Sequence, residues 1–238
     1  IENTRYTIKE LKLSGLDKVT EAVKNGVSEG KLITGGDPYS RAKINQEKDR
    51  ILLLLQNNGY YFAQIDTIKS KIDSSRRGII IGKYSDELQK NPEFKNKVLV
   101  RIRFIGTEDI YHFGRNSINI ENNKYNIGYN VIERELKFKE GEVYNRSKML
   151  ESERNFTKLA IIQLGRVTPD SVDMERRVIN TKVNITLNNK YELTPSLSAV
   201  YQSNRLFGGA GIEYKDKDFF GAGRIFTVGL EGLFNSID

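Results

Sequence analysis

Cysteine and tryptophan are absent from all 238 residues, and histidine occurs once, at His112. No thiol nucleophile, disulfide or thiolate metal site can be built from such a chain. One histidine gives no metal set, and no Ser-His-Asp arrangement is evident. His112 lies between Tyr111 and Phe113 in a strand-like run, where a structural or surface role is expected. No stretch of 18 apolar residues occurs, so no segment qualifies as a membrane-spanning helix. A β-barrel leaves no such stretch, because its strands alternate apolar and polar residues. Neither a Met nor a signal peptide stands at Ile1, and a leader is expected to have been removed or to lie outside this sequence.

Other catalytic patterns are also missing. Gly208-Gly209-Ala210-Gly211 has neither the Lys-Ser/Thr nor the following helix of a phosphate loop, and fits a wall or turn of small side chains. Gly35-Gly36 precedes a helix, but Asp37 there opposes an anion. Glu151 and Glu153 share a helix, where both are expected to be solvated. The expectation is no enzyme, no metal and no cofactor. The 38 basic and 31 acidic side chains give a net charge of +7, interspersed along the chain. No nucleic-acid-binding motif accompanies them, so nucleic acid is not an expected partner. Contact with lipid headgroups suits the basic balance better.

What the chain does contain is alternation. Leu193, Pro195, Leu197, Ala199 and Tyr201 interleave with Glu192, Thr194, Ser196 and Ser198. Ala210, Ile212 and Tyr214 interleave with Gly209, Gly211 and Glu213, and Phe226, Val228, Leu230, Gly232 and Phe234 with Thr227, Gly229 and Glu231. Three period-2 strands separated by turns follow. One face is apolar and the other polar or glycine-rich, as in a transmembrane barrel. A barrel takes about eight strands or more, so the sequence is expected to end just inside one.

A repeat precedes these strands. Shifted by 105 residues, Gly36-Asp37-Pro38-Tyr39-Ser40-Arg41-Ala42-Lys43-Ile44 falls on Gly141-Glu142-Val143-Tyr144-Asn145-Arg146-Ser147-Lys148-Met149, and Ile51 falls on Phe156. Each copy reads as a long helix: Tyr39–Asn58 capped by Ser40, and Asn145–Leu164 capped by Asn145. Gly59 and Gly165 are the expected stops. Tyr39 and Tyr144 are each expected to pack on their own core. Around the helices lie strand candidates Tyr6–Leu13, Tyr60–Ser70 and Val98–Phe104 in copy one, and Tyr111–Ile120, Arg166–Val172 and Ile179–Leu187 in copy two. Asp17–Val27 and Gly128–Leu136 are shorter helix candidates. Each copy thus reads strand, helix, helix, strand, strand.

This order resembles the POTRA repeats and barrel start of the BamA/TamA superfamily of outer-membrane assembly factors. Gly36-Asp37-Pro38-Tyr39 leading to Asn58-Gly59-Tyr60-Tyr61-Phe62-Ala63 is similar to the family's second-helix block, and Lys139 to Tyr144 repeats its start. Lys217-Asp218-Phe219-Phe220-Gly221-Ala222-Gly223 is similar to its barrel hairpin. Leu164-Gly165-Arg166-Val167 departs from the pattern, and the excess stretch at about 70–96, with a helix candidate at Ser85–Lys90, resembles TamA-like members. The implied fold class is α+β: two POTRA-like repeats, then the first antiparallel strands of a transmembrane β-barrel. The implied domains are 1–108 with an insertion near 70–96, 109–190, and 191–238.

The resemblance further implies an outer-membrane protein with its repeats in the periplasm. Its partners would be unfolded outer-membrane protein clients, periplasmic or lipoprotein subunits, and outer-membrane lipid. A client would add itself to an exposed sheet edge, expected here at Phe62, Ala63, Gln64, Ile65, Asp66, Thr67 and Ile68. In copy two, Pro169 would weaken the edge. The first barrel strand, Leu193, Pro195, Leu197, Ala199 and Tyr201, would form a seam that opens laterally. A two-partner secretion transporter shares this plan, a patatin-type lipase lacks its Gly-x-Ser-x-Gly elbow here, and a non-membrane repeat scaffold would follow from a soluble C-terminal sandwich.

Overall fold

The computed structural model describes residues 6–64, 68–74, 97–106, 109–202 and 205–235. They form two compact units, Ile1–His112 with Val143–Ser147, and Phe113–Glu142 with Lys148–Asp238.

The first unit contains β1 (Thr7–Ser14), α1 (Glu21–Glu29), α2 (Arg41–Asn57), β2 (Ile68–Ser74) and β3 (Lys97–Phe104). Alternation makes β3 a central strand: Val98, Val100, Ile102 and Phe104 are buried, while Arg101 and Arg103 are exposed. It pairs in parallel with β1 and antiparallel with β2, in the order β1-β3-β2. Ser40 opens α2, its hydroxyl accepting from the Lys43 amide. Ile44, Ile51 and Leu55 line the buried face of α2, packing with Val23 and Val27 of α1.

The second unit contains β4 (His112–Glu121, beginning one residue outside it), α3 (Tyr129–Glu133), α4 (Arg146–Phe156), β5 (Ile162–Asp173) and β6 (Val178–Leu187). Its sheet runs β4-β6-β5, with Ile179, Val183 and Ile185 of the central strand buried. A separate sheet follows, β7 (Tyr191–Gln202), β8 (Arg205–Phe219) and β9 (Arg224–Asn235), antiparallel throughout. The fold is α+β, as the resemblance implied.

The 105-residue register holds at single hydrogen bonds. The Gly36 amide donates to the Ile8 carbonyl as the Gly141 amide does to Phe113, and Tyr39 donates to Tyr6 as Tyr144 does to Tyr111. Gly36 and Gly141 have φ of 95° and 84°, a region open to glycine without strain. Even a buried polar contact recurs with different chemistry. The Leu32 amide donates to Glu47 and the Lys137 amide donates to the hydroxyl of Ser152, at equivalent positions of the two helices. Glu47, with no exposed surface, is held by Arg50 at 2.8 and 3.0 Å. Arg50 also donates to the carbonyls of Gly26 and Val27 at the end of α1. A buried carboxylate is tolerated here because every contact is a charge-assisted hydrogen bond.

Three expectations need correction. The second helix stops at Phe156, well before Leu164. Gly165 is no helix stop but a strand residue, and a Cβ there would lie 2.5 Å from the Phe156 ring. The strand expected at Phe62–Ile68 is not extended at its start: Tyr61 and Phe62 form a turn, Ala63 and Gln64 lie in no strand, Ile65, Asp66 and Thr67 lie outside the described residues, and Ile68 belongs to β2. Aromatic packing explains the turn. Tyr61 meets Tyr111 and Tyr144 at 6.1 and 5.2 Å between centroids, and Phe62 meets Tyr111 at 5.3 Å. Tyr144 therefore packs within the first unit rather than on its own repeat, while Tyr39 lies against the first core. The stretch 75–96, with its helix candidate, lies outside the described residues.

Removing the carboxylate tests the matched contact. Glu47→Ala leaves Arg50 without its counter-ion and the Leu32 amide without its acceptor, and should destabilise the first unit by about 3–5 kcal/mol. Ser152→Ala should cost the second unit about 1–2 kcal/mol. Hydrogen exchange should accelerate at Leu32 in the first variant and at Lys137 in the second. Unchanged exchange at these amides would refute the pairing.

Candidate functional site

Nothing in the described residues groups three or more metal-ligating side chains. Glu151 is exposed, but Glu153 is not simply solvated: its carboxylate accepts from the Val167 amide at 2.8 Å. That contact directs attention to the sheet edges, the places where an extended chain could bind.

Edge strands differ sharply in how their backbone groups are used. In β5, the outward Val167 amide is taken by Glu153, Pro169 has no N–H, and the register slips between Pro169 and Ser171. A carboxylate, a proline and a bulge together blunt that edge. In the first sheet, β2 is an edge at Ile68–Ser74, which shares Ile68 with the predicted Phe62–Ile68. At β1, the loop before α2 covers the start of the other edge, with Ile8 donating to Asp37 and accepting from Gly36. That loop is itself fixed by Asp37, whose carboxylate accepts from the Thr34 amide and hydroxyl. The Thr34 backbone bond holds the Asp37 carboxyl below its ordinary pKa. At the matching position, the Lys148 hydrogen bond holds Glu142 below its own.

The strand predicted as a seam is β7, at one edge of its sheet. Register places Leu193 beside Tyr214, then Val228; Pro195 beside Ile212, then Leu230; Ala199 beside Gly208, then Phe234. Leu197, 90% exposed, pairs with Ala210 on the same face, and Tyr201 is also exposed. The opposite face carries Thr194, Glu213 and Gly229, then Ser196, Gly211 and Glu231. Small residues on β8 let longer side chains cross it: Ser198 donates to Glu231 at 3.0 Å, and a Cβ at Gly209 would lie 2.3 Å from the Ser198 hydroxyl. Leu233 breaks the polar face, opposite Gly209.

Sequence reasoning missed the joint between this sheet and the second repeat. Lys190 precedes β7 and lies 4.0 Å from Asp216 and 3.8 Å from Asp218, both buried. Asp218, 1% exposed, accepts from the Gly223 amide at 2.7 Å and so closes the β8–β9 turn. Gly223 packs against Leu159 and Val131, while Arg134 donates to the Ala222 carbonyl. Phe220 stands at the tip, 86% exposed with φ of 59°. The sequence signal was present: Asp218 follows Asp216 immediately before Phe219-Phe220-Gly221, a charged pair entering an aromatic turn.

Comparison with known proteins supplies a family. The POTRA family model, described as the surface antigen variable number repeat, matches residues 6–103 and 115–190. A crystal structure of BamA from Haemophilus ducreyi lacking POTRA domains 1–3 aligns with TM-score 0.63 at 16% identity, covering 97% of this chain and 38% of that one. The chain thus spans under two-fifths of that BamA structure. Haemophilus influenzae BamA POTRA3–5 aligns with TM-score 0.53 at 18% identity, covering 76% of this chain and 66% of that one. CdiB from Acinetobacter baumannii aligns with TM-score 0.48 at 13% identity, covering 99% of this chain and 40% of that one. No curated protein matches the sequence.

The joint separates charge from hydrogen bonding in a direct way. Asp218→Asn keeps an acceptor for Gly223 and should leave the turn intact. Asp218→Ala removes it and should cost about 1–3 kcal/mol, with faster amide exchange at Gly223. Equal exchange in the two variants would show that the acceptor does not hold the turn.

Proposed function

We propose that this chain, which belongs to the POTRA family of surface antigen variable number repeats, is the membrane-proximal part of an outer-membrane assembly factor. Its repeats, at 1–108 and 109–190, lie in the periplasm and receive unfolded β-rich clients as added strands. Residues 191–238 begin a transmembrane barrel that passes clients into the outer membrane. Periplasmic or lipoprotein subunits assist, and lipid surrounds the barrel.

The two-faced sheet β7-β8-β9 carries this reading. Leu193, Leu197, Val228, Leu230 and Phe234 are exposed on one face, although a soluble sheet would cover them. Hydrocarbon is the solvent in which such a face is stable, provided that every backbone group is bonded within a closed sheet. The β7 edge, with Pro195 in its midst, is suited to a seam because proline offers no donor to a neighbour. Main-chain bonding at β2 would accept many client sequences, since side chains contribute little to it.

Two substitutions one residue apart test the facing. In the full-length protein, Val228→Arg places a charge on the lipid face at a cost of about 2–4 kcal/mol near the midplane. Thr227→Arg places it on the lumen face and should be tolerated. Heat-modifiable mobility of the barrel, and the rate at which vesicles containing it take up a urea-unfolded β-barrel client, should fall about tenfold or more for Val228→Arg only. Equal behaviour, or greater harm from Thr227→Arg, would overturn the facing and weaken the membrane reading.

A further inference from the structure

The first unit has a second edge whose use is unexplained. β1 lies at the end of its sheet opposite β2. Ile8 points its amide and carbonyl outward, to Asp37 and Gly36. A bulge falls between Ile8 and Glu10, where the register steps from Val98 to Leu99 in β3. Counting alternation across that bulge, Leu11 and Leu13 have the same sense as Ile8, because they pair with Val100 and Ile102. Their side chains therefore turn toward the helices while their amides and carbonyls face away from β3. The covering loop reaches only as far as Lys9, whose carbonyl lies against Gly35. Among the described residues, Leu11 and Leu13 have no backbone partner beyond the sheet.

A groove of about 530 Å³ runs beside this open segment, lined by Leu11, Leu13, Leu16 and Val27 with Lys24 and Lys31. Ser28 and Asp17 complete it. Lys24 pairs with Glu21, whereas Lys31 makes no ion pair among the described residues. Two unfilled ladder positions, a leucine floor and the Lys31 ammonium specify a complementary chain: extended, apolar at alternate positions, with a carboxylate near Lys31 and none near Asp17. In the second repeat the matching residues are Asn116 and Ile118, and Asn116 accepts from the hydroxyl of Thr181 at 2.5 Å. The groove is thus not a property that both repeats share.

We propose that the β1–α1 groove is a binding site for an extended, acidic-apolar segment of a client, added to β1 at Leu11 and Leu13. It rests on the reading that the repeats receive extended chains, and it assigns that role to the β1 edge of the first repeat. Main-chain bonds at the two leucines supply register, the groove takes one row of apolar side chains, and Lys31 selects the acidic residue.

The probe is a synthetic peptide with the sequence of Phe226–Asn235, which alternates apolar side chains and carries one carboxylate at Glu231. It is titrated into the full 238-residue chain in detergent micelles, with amide shifts followed by nuclear magnetic resonance. Shifts at Leu11, Leu13 and Val27 are expected. Ser28→Trp, which fills the groove from an exposed position, should abolish them. Lys31→Glu should weaken binding about threefold, within the range of a partly exposed charge pair, and a peptide with Glu231→Gln should show the same loss without the protein substitution. Shifts confined to Ile68–Ser74 or to β7 would overturn this site while leaving the assembly function standing. Shifts at β1 on concentrating the chain without peptide would assign the edge to a second copy and also overturn it. No shift at any edge would overturn both.

Discussion

A strand at the edge of a sheet carries amides and carbonyls that need partners, and the described residues of this chain have six edges for nine strands. The described structure handles them differently. Loops before α2 and α4 cover the first residues of β1 and β4, through the repeated bonds of Ile8 and Phe113. Glu153 and Pro169 blunt β5. β2, the later part of β1, and β7 lack comparable cover among the described residues. Under the proposed function, closing some edges would direct an incoming chain to those left open, because main-chain bonding alone discriminates little between strands.

The same constraint applies to the β7-β8-β9 sheet, whose first strand has an anchor where it leaves the second repeat. Lys190, Asp216, Asp218 and the turn at Gly223 provide it. A half-buried lysine and two buried carboxylates gain by proximity what each would lose alone on leaving water. The β8–β9 turn and the start of β7 are thereby held at one end of the sheet, against Val131 and Leu159 of the second repeat.

Patterns repeated over many residues were legible in the sequence. The offset of 105 residues located both copies because a loop and helix of the same geometry need glycine, an aromatic and an apolar face at fixed places. Alternation located β7 to β9 and the facing of Val228 and Leu230 because strand side chains have a period of two. Features set by one long-range contact were not legible. Gly165 resembles a helix stop, and only the Phe156 ring beside it shows why glycine is required within a strand. Tyr61 and Phe62 have strong strand propensity, yet packing against Tyr111 and Tyr144 turns the chain there. Glu153 has the sequence surroundings of a solvated helix residue, and only the Val167 amide beside it shows its role. Glu47 and Ser152 differ in charge and size, so their common task of accepting a backbone amide is not legible in the sequence.

Unequal closure of the edges is the central claim, and native-state hydrogen exchange on the free chain measures it directly. Outward amides that already have partners, at Ile8 and Val167, should exchange slowly, near the rate of global opening of their units. The amides of Leu11 and Leu13 should exchange orders of magnitude faster under the same conditions. Equal protection at all four positions would contradict unequal closure, as would faster exchange at Val167 than at Leu13.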